Sequence, residues 1–222
     1  MTLDSVMIFA AGFGTRMGVL TADRPKPLIP VAGKALIDHA LHLTGNRPLV
    51  VNAHYKAEML RDHLGPRAQI SYEDPILETG GGLKAALPML GAGPVFTLNS
   101  DAVWAGPNPL DILETAWRPE KMDALLLLIP RENAVGHSGN GDFINKNGVL
   151  TRGQGDVFTG AQIIKTDALS EIPDTVFSLN LLWDRMLAQS RVHGVTYTGK
   201  WCDVGTPQGI NLAEDMLRGS HG

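Results

Sequence analysis

Two cations and two carboxylates stand out by what flanks them. Arg16 follows the stretch FAAGFGT, residues 9–15, in which an apolar run over 6–11 meets Gly12 and Gly14. Glycine has no Cβ, so backbone N–H groups there can approach phosphate oxygens closely. Arg16 adds a bidentate cation beside them. Lys26 lies in RPKPLIPVAGK, residues 24–34, between Pro25 and Pro27, which fix the backbone on both sides of it. A lysine held this way is a positioned point charge suited to a phosphate; a solvated surface lysine needs no such flanks. Asp101 follows the apolar run ending in Asn99 and Ser100. Strand-end carboxylates suit Mg²⁺ when phosphates supply the remaining oxygens. Asp203, in WCDVGTP (201–207), points away from the side taken by Cys202 and Val204. A half-buried carboxylate needs a partner, either a metal contact or a nearby Arg or Lys. In LETGGGLKAAL, residues 77–87, three glycines precede a helical pattern, so the backbone can pack against a flat ligand such as a base.

Other chemistries fit less well. The dinucleotide fingerprint G-x-G-x-x-G fails at its third glycine, where Met17 stands, and no acid near position 33 is placed to hold a ribose. The only G-x-x-x-x-G-K runs from Gly194 to Lys200, and Trp201 follows where Ser or Thr must meet magnesium. The seven histidines, at 39, 42, 54, 63, 137, 193 and 221, show no zinc spacing, and Cys202 has no evident base. The chain has 222 residues, 44% hydrophobic, with net charge −4 and no block of Lys and Arg, so nucleic acid is not an expected partner. A single cysteine excludes an internal disulfide and suits a reducing compartment. MTLDSV has no basic n-region of a signal peptide, and the longest apolar run, 124–130, is too short to span a membrane. A cytoplasmic protein is expected. The last residues, 219–222, read as a remnant of expression.

The elements that must position these residues follow from periodicity. Strand patterns at 6–11, 48–53, 68–72, 94–98 and 123–130 alternate with helical ones at 35–44, 56–64, 82–90 and 110–117. That order predicts an α/β fold with a mainly parallel sheet covered on both faces. Such sheets bind ligands beyond the carboxyl ends of their strands, where FAAG, NAH and LNSD fall. After Pro130 the pattern changes. Asn147-Gly148 marks a hairpin between 142–146 and 149–151. A strand at 157–164, a helix at 176–191, strands at 195–198 and 201–204 and a helix at 206–217, with Thr206 as N-cap and Pro207 at N1, complete the chain. One domain over 1–218 is expected: a parallel core over about 1–130, with a small antiparallel lid over about 131–200.

Taken together, AAGFGTRM, RPKPLIPVAGKALIDHAL, LETGGG, NSD and WCDVGTP resemble the sugar-1-phosphate nucleotidyltransferase family, in its order and over almost the whole chain. Within it the short length, LETGGG and the W-x-D-V-G-T ending are most similar to the bacterial N-acetylmuramate 1-phosphate uridylyltransferases of cell-wall recycling. The resemblance implies a Rossmann-like, mostly parallel sheet and a Mg²⁺-dependent reaction of NTP with sugar 1-phosphate to give NDP-sugar and pyrophosphate. It implies UTP as the favoured nucleotide, and a monomer is expected. By the same resemblance Arg16, Lys26 and Asp101 are catalytic. The backbone of Gly12, Gly14 and Thr15, with Arg16, holds the β- and γ-phosphates, and Lys26 holds the α-phosphate and the sugar phosphate. Asp101 and Asp203 hold Mg²⁺. Glu78, Gly80, Gly81 and Gly82 form a turn against base and ribose, and Ala11, Asn52 and Asn99 complete the nucleotide set. In the lid, Gly141, Asp142, Thr159 and Gly160 meet the sugar.

Two departures from the family pattern stand out: Ser100 in place of a usual Gly, which narrows the metal site, and Gly18-Val19 in place of Arg-Pro, which removes a cation. Alternatives within the class are mannose 1-phosphate with GTP, or glucose 1-phosphate with UTP or dTTP. Outside it stands a non-catalytic, nucleotide-binding regulatory paralogue, which Ser100 favours and the two retained aspartates oppose.

Overall fold

The computed structural model describes residues 3–219. The first apolar run forms β1 (Val6–Phe9), followed by a 3-10 turn over Thr15–Thr21 and a short hairpin of β2 (Pro30–Val31) and β3 (Lys34–Ala35). Alternation then sets in: α1 (Leu36–Thr44), β4 (Leu49–Ala53), α2 (Ala57–Leu64), β5 (Gln69–Tyr72), α3 (Glu78–Leu90) and β6 (Val95–Asn99). Next come β7 (Ala102–Ala105), α4 (Pro109–Ala116), β8 (Ala124–Ile129) and β9 (Ala134–Val135). The later segments are β10 (Phe143–Lys146), β11 (Val149–Arg152), β12 (Val157–Ile164), α5 (Asn180–Ala188), β13 (Val192–Thr196), β14 (Lys200–Asp203) and α6 (Pro207–Arg218).

Nine strands form one sheet in the order β10-β11-β13-β8-β12-β6-β1-β4-β5. The pairings run seven of these strands one way and β11 and β12 the other. Strand alternation sends Val6 and Ile8 to a core with Leu60, Leu110 and Leu113 on one face. Met7 packs with Leu83, Leu182 and Met186 on the other, so helices bury both faces. The sheet β7-β14-β9 and α6 close a third core around Val103, Cys202 and Met216.

The hairpin at Asn147-Gly148 forms with both residues at positive φ, 55° and 89°, as a tight two-residue turn requires. It lies at the far end of the main sheet, joined to β13 through Val149 and His193. β12 is buried and pairs antiparallel with both β6 and β8. The antiparallel part is therefore continuous with the core sheet.

Two local expectations differ from the fold, and one strand is additional to them. The helix expected over 176–191 is confined to α5, because residues 177–179 are used elsewhere. The Phe177 carbonyl accepts from the N–H groups of Gly80 and Gly81, and the Leu179 N–H donates to Thr79 Oγ1 at 3.0 Å. The helix expected from residue 82 begins at Glu78 and takes in all three glycines. β7, a segment for which the sequence patterns name no element, is a strand because β14 pairs with it, Ala102 opposite Asp203. The G-x-x-x-x-G-K at 194–200 spans β13 and β14, and Gly194 packs against Leu128 and Leu150, so no phosphate loop exists there.

Candidate active site

A cleft of about 330 Å³ opens at the carboxyl ends of β1, β4, β5 and β6. The loop after β1 forms one lip of it, with Ala11, Gly12, Gly14, Thr15 and Arg16 all lining it. Gly14 has φ +65, and a Cβ there would stand 2.8 Å from the Lys26 Cβ. The glycine thus serves two needs, a left-handed turn and the close seating of Lys26 beneath the loop. Gly12 has open space where its Cβ would be. Met17 is buried, and its N–H donates to the Gly14 carbonyl at 2.9 Å, anchoring the loop from below.

Lys26 is only 9% exposed and begins a 3-10 turn set by Pro25 and Pro27. Its Nζ donates to Asp101 Oδ2 at 2.7 Å. Asp101 is held from two sides: the Val204 N–H donates to its carbonyl at 2.9 Å, and Ser100 next to it is tied to β1. The Ser100 hydroxyl donates to the Phe9 carbonyl at 2.7 Å. Ser100 is thus spent on a main-chain bond, and the hydroxyl fixes the strand end that carries Asp101. Gly18 and Val19 form an exposed turn, with Val19 86% exposed.

Asp203 reaches this place through the antiparallel β7–β14 pair. Its carboxyl is pushed above the usual range, first by burial and then by the charge of Asp101, against the pull of Lys26, Arg16 and His137. Asp203 does not line the cleft, but Gly205, two residues on, does. The Arg16 guanidinium packs on Gly205, where a Cβ would meet its Nη1 at 3.0 Å. One flank of the cleft therefore presents two cations and the Asp101 carboxylate, with Asp203 behind it in range of all three, a set suited to polyanions and a divalent cation. Cys202 is inert: burial, then the Asp203 charge, pushes its thiol up to about 12.

The opposite flank contains a residue the sequence reading missed. Glu73 is 1% exposed, and its Oε1 accepts from Asn52 Nδ2 at 2.7 Å. Asn52 Oδ1 in turn accepts from the Ala10 N–H at 2.7 Å, and Glu73 Oε2 accepts from the Leu77 N–H at 2.8 Å. The pair is a strut between the two lips of the cleft. Asn52 lines the cleft but acts first through this strut. Glu73 was legible in one respect: YED ends a strand on the same sheet edge as the three loops already named. Ile76 is a further lining residue with no local signal, while Thr79 and Gly205, which also line the cleft, lie inside the LETGGG and WCDVGTP stretches.

Not every expected residue comes to the cleft. Asn99 and Glu78 line it, and Gly80, Gly81 and Gly82 do not. These three glycines are inside α3 rather than in a turn, and protein fills the space beside them. A Cβ would lie 2.4 Å from the Phe177 ring at Gly80, 2.2 Å from the Thr175 carbonyl oxygen at Gly81 and 2.5 Å from Glu73 Oε1 at Gly82. The expected lid residues also serve packing. Thr159 Oγ1 donates to the Leu127 carbonyl at 2.7 Å, and Asp142 Oδ2 accepts from the Phe158 N–H at 2.9 Å. Gly141 abuts the backbone of Gly155. Gly160 stands against Asn99 and so touches the cleft wall from behind.

A model of the MobA-like NTP transferase domain matches residues 6–137. The chain is similar to the N-acetylmuramate alpha-1-phosphate uridylyltransferase of Caulobacter vibrioides, 43% identical over 232 residues, covering 95% of this chain and 96% of that protein. The protein of the same name from Neisseria meningitidis serogroup B is 35% identical over 216 residues, covering 90% of this chain and 92% of its own. Among solved structures, HddC from Yersinia pseudotuberculosis, complexed with GMP-PN, matches with TM-score 0.76 at 20% identity, covering 97% of this chain and 100% of that one. At that identity the likeness shows the fold.

Proposed function

The chain belongs to the MobA-like NTP transferase family, and on that premise we propose that it joins UTP and N-acetylmuramate 1-phosphate to give the UDP-sugar and pyrophosphate. The observation that carries the reaction is the Lys26–Asp101 contact, at 2.7 Å, beside Arg16 and Asp203 beneath a glycine loop. The likeness to the two uridylyltransferases supports the substrates.

In this reaction an oxygen of the sugar phosphate attacks the α-phosphorus of UTP. The bond from that phosphorus to the bridging oxygen breaks, and pyrophosphate leaves with the electron pair. The nucleophile is already an anion, so no general base is required. The obstacles are repulsion between anions and charge gathering on the leaving group, and positioned cations answer both. Lys26, held rigid and nearly buried, is placed to hold the α-phosphate and the incoming sugar phosphate. Arg16 and the N–H groups of the Gly12–Thr15 loop are placed to hold the β- and γ-phosphates.

Asp101 and Asp203 fit Mg²⁺. Two close carboxylates, one raised by burial and by its neighbour's charge, call for positive charge. In the free protein Lys26 supplies part of it. Mg²⁺ held by one or two carboxylates takes its remaining ligands from substrate phosphates and water. When bound there, Mg²⁺ supplies charge neutralisation for the triphosphate.

Residues 1–218 act as one unit on this reading, because the main sheet draws strands from both halves. No helix among the described residues is long and apolar enough to cross a membrane. The reading places the protein in the cytoplasm as a monomer. The test is pyrophosphate release with Mg²⁺, over UTP, GTP, dTTP, CTP and ATP against N-acetylmuramate, N-acetylglucosamine, glucose and mannose 1-phosphates. The expected result is one strong combination, UTP with N-acetylmuramate 1-phosphate. Strength in another cell overturns the substrates, and a blank grid overturns the activity.

A further inference from the structure

The glycine loop that lines the cleft carries one large side chain that does not. Phe13, between Gly12 and Gly14, is 47% exposed and stands outside the cleft lining. Its ring turns instead to the end of β4. It meets the His54 ring edge to face, with centroids 5.2 Å apart and planes at 90°. It also meets the Tyr55 ring, at 6.0 Å. Aromatic pairs at these separations attract beyond the area they cover.

Tyr55 reaches the far end of the same loop. Its hydroxyl donates to the Thr21 carbonyl at 2.9 Å, at the last residue of the 3-10 turn. Thr21 is buried and braces that turn from within. Its Oγ1 donates to the Gly18 carbonyl at 3.0 Å, and a Cβ on Gly14 would stand 3.1 Å from its Cγ2. One tyrosine therefore touches the loop at both ends, at Phe13 by its ring and at Thr21 by its hydroxyl. Between those two points lie Gly14, Thr15 and Arg16, which line the cleft.

The support is itself fixed. His54 and Tyr55 follow directly on β4, whose five residues are all buried. His54 Nδ1 donates to the Glu73 carbonyl at 2.9 Å, and the Lys56 ammonium lies 5.3 Å from the centre of the Tyr55 ring. The loop is the softer partner. Gly14 and Gly18 both have positive φ, and glycine loses more freedom than other residues when it is ordered. A loop so built keeps its N–H groups aimed only if something outside it holds its ends.

We propose that Tyr55 is a positioning residue for the triphosphate. Through Phe13 and Thr21 it holds the glycine loop and Arg16 in the shape that meets the β- and γ-phosphates. Tyr55 does not itself line the cleft. The proposal rests on the nucleotidyltransferase reading above, which gives the α-phosphate to Lys26 and the outer phosphates to the loop.

Tyr55→Phe keeps the ring and removes the hydroxyl. Phe13→Ala removes the ring contact at an exposed position. Both are tested by calorimetric binding of UTP and of UMP with Mg²⁺ and without sugar phosphate, and by thermal melting of the free protein. Each variant should bind UTP about three- to tenfold more weakly, the range for one hydrogen bond or one ring contact. UMP, which lacks the outer phosphates, should bind each variant as it binds wild type. An unchanged preference for UTP over UMP in Tyr55→Phe overturns the proposal. A lowered melting temperature with that preference intact makes Tyr55 a structural residue only, and overturns it too. Wild type that binds UMP as tightly as UTP overturns the assignment of the loop to the outer phosphates, and the proposal with it. Wild type that prefers UTP but releases no pyrophosphate with any sugar phosphate overturns the catalytic reading and leaves the variant comparison decisive for Tyr55.

Discussion

At the scale of single residues, the site works by holding charge in place. Lys26 is short of solvent, flanked by prolines, seated against Gly14 and bonded to Asp101, so its ammonium is held in one orientation before any anion arrives. Lys26→Ala and Asp101→Asn should each lower kcat/KM by roughly 10²–10³, the range for one preorganised electrostatic contact. Near-wild-type turnover in steady-state assays of either variant would remove that residue from the mechanism. Asp203 offers a test with two signs. Burial and the charge of Asp101 raise its pKa in the fold, so the folded protein binds that proton more tightly than the unfolded chain. Its ionised form opposes folding at neutral pH, and this cost fades as pH falls through the raised folded-state pKa and is gone below the unfolded value of about 4. Asp203→Asn should therefore melt above wild type at pH 7 without metal, with the gap closing in acid, while Mg²⁺-dependent activity falls. Melting scans at pH 7 and pH 4 decide it: a variant that melts below wild type at pH 7 contradicts the electrostatic account.

At the scale of elements, α3 shows why a glycine run need not be a flexible loop. Each of its three glycines admits a different neighbour: Phe177, the backbone at Thr175, and the Glu73–Asn52 strut. The strut joins the loop after β1 to the segment entering α3 through two N–H groups, those of Ala10 and Leu77. Gly82→Ala would set a methyl 2.5 Å from Glu73 Oε1 and 2.9 Å from Asn52 Nδ2. Both atoms are buried and bonded, so neither can move without losing a partner. The expected cost is about 1–3 kcal/mol of stability by urea denaturation, with a raised KM for the nucleotide, because both lips of the cleft shift. Wild-type stability and KM together would show that the strut yields freely.

At the scale of the whole molecule, β12 decides cooperativity. It sits between β6 and β8 and pairs with both, so the late third of the chain is built into the middle of the sheet. Trp201, on the sheet that carries Asp203, donates its indole N–H to the Thr159 carbonyl on β12 at 3.0 Å, a second tie. Urea unfolding followed by tryptophan fluorescence and by far-UV circular dichroism should therefore give one coincident transition. Two separated transitions would mean that the nucleotide half and the later strands unfold independently.

What was legible in the sequence is what short-range physics controls. The glycine loop with Arg16, the proline-flanked Lys26, the strand-end Asp101 and the turn at Asn147-Gly148 all depend on φ restriction and on contacts a few residues apart. Strand and helix periodicity also reports which faces are buried, and so the α/β class. Other features depended on contacts between distant segments. Asp203 meets Asp101 only because β14 pairs with β7, a strand with no clear pattern of its own. Glu73 and Asn52 meet because β5 lies beside β4. The glycines of α3 are helical, and α5 starts late, because residues 177–179 dock on the first turn of α3. Periodicity records how a segment faces a core but not which segment lies opposite, so sheet order and the closure of the site were settled by the tertiary structure.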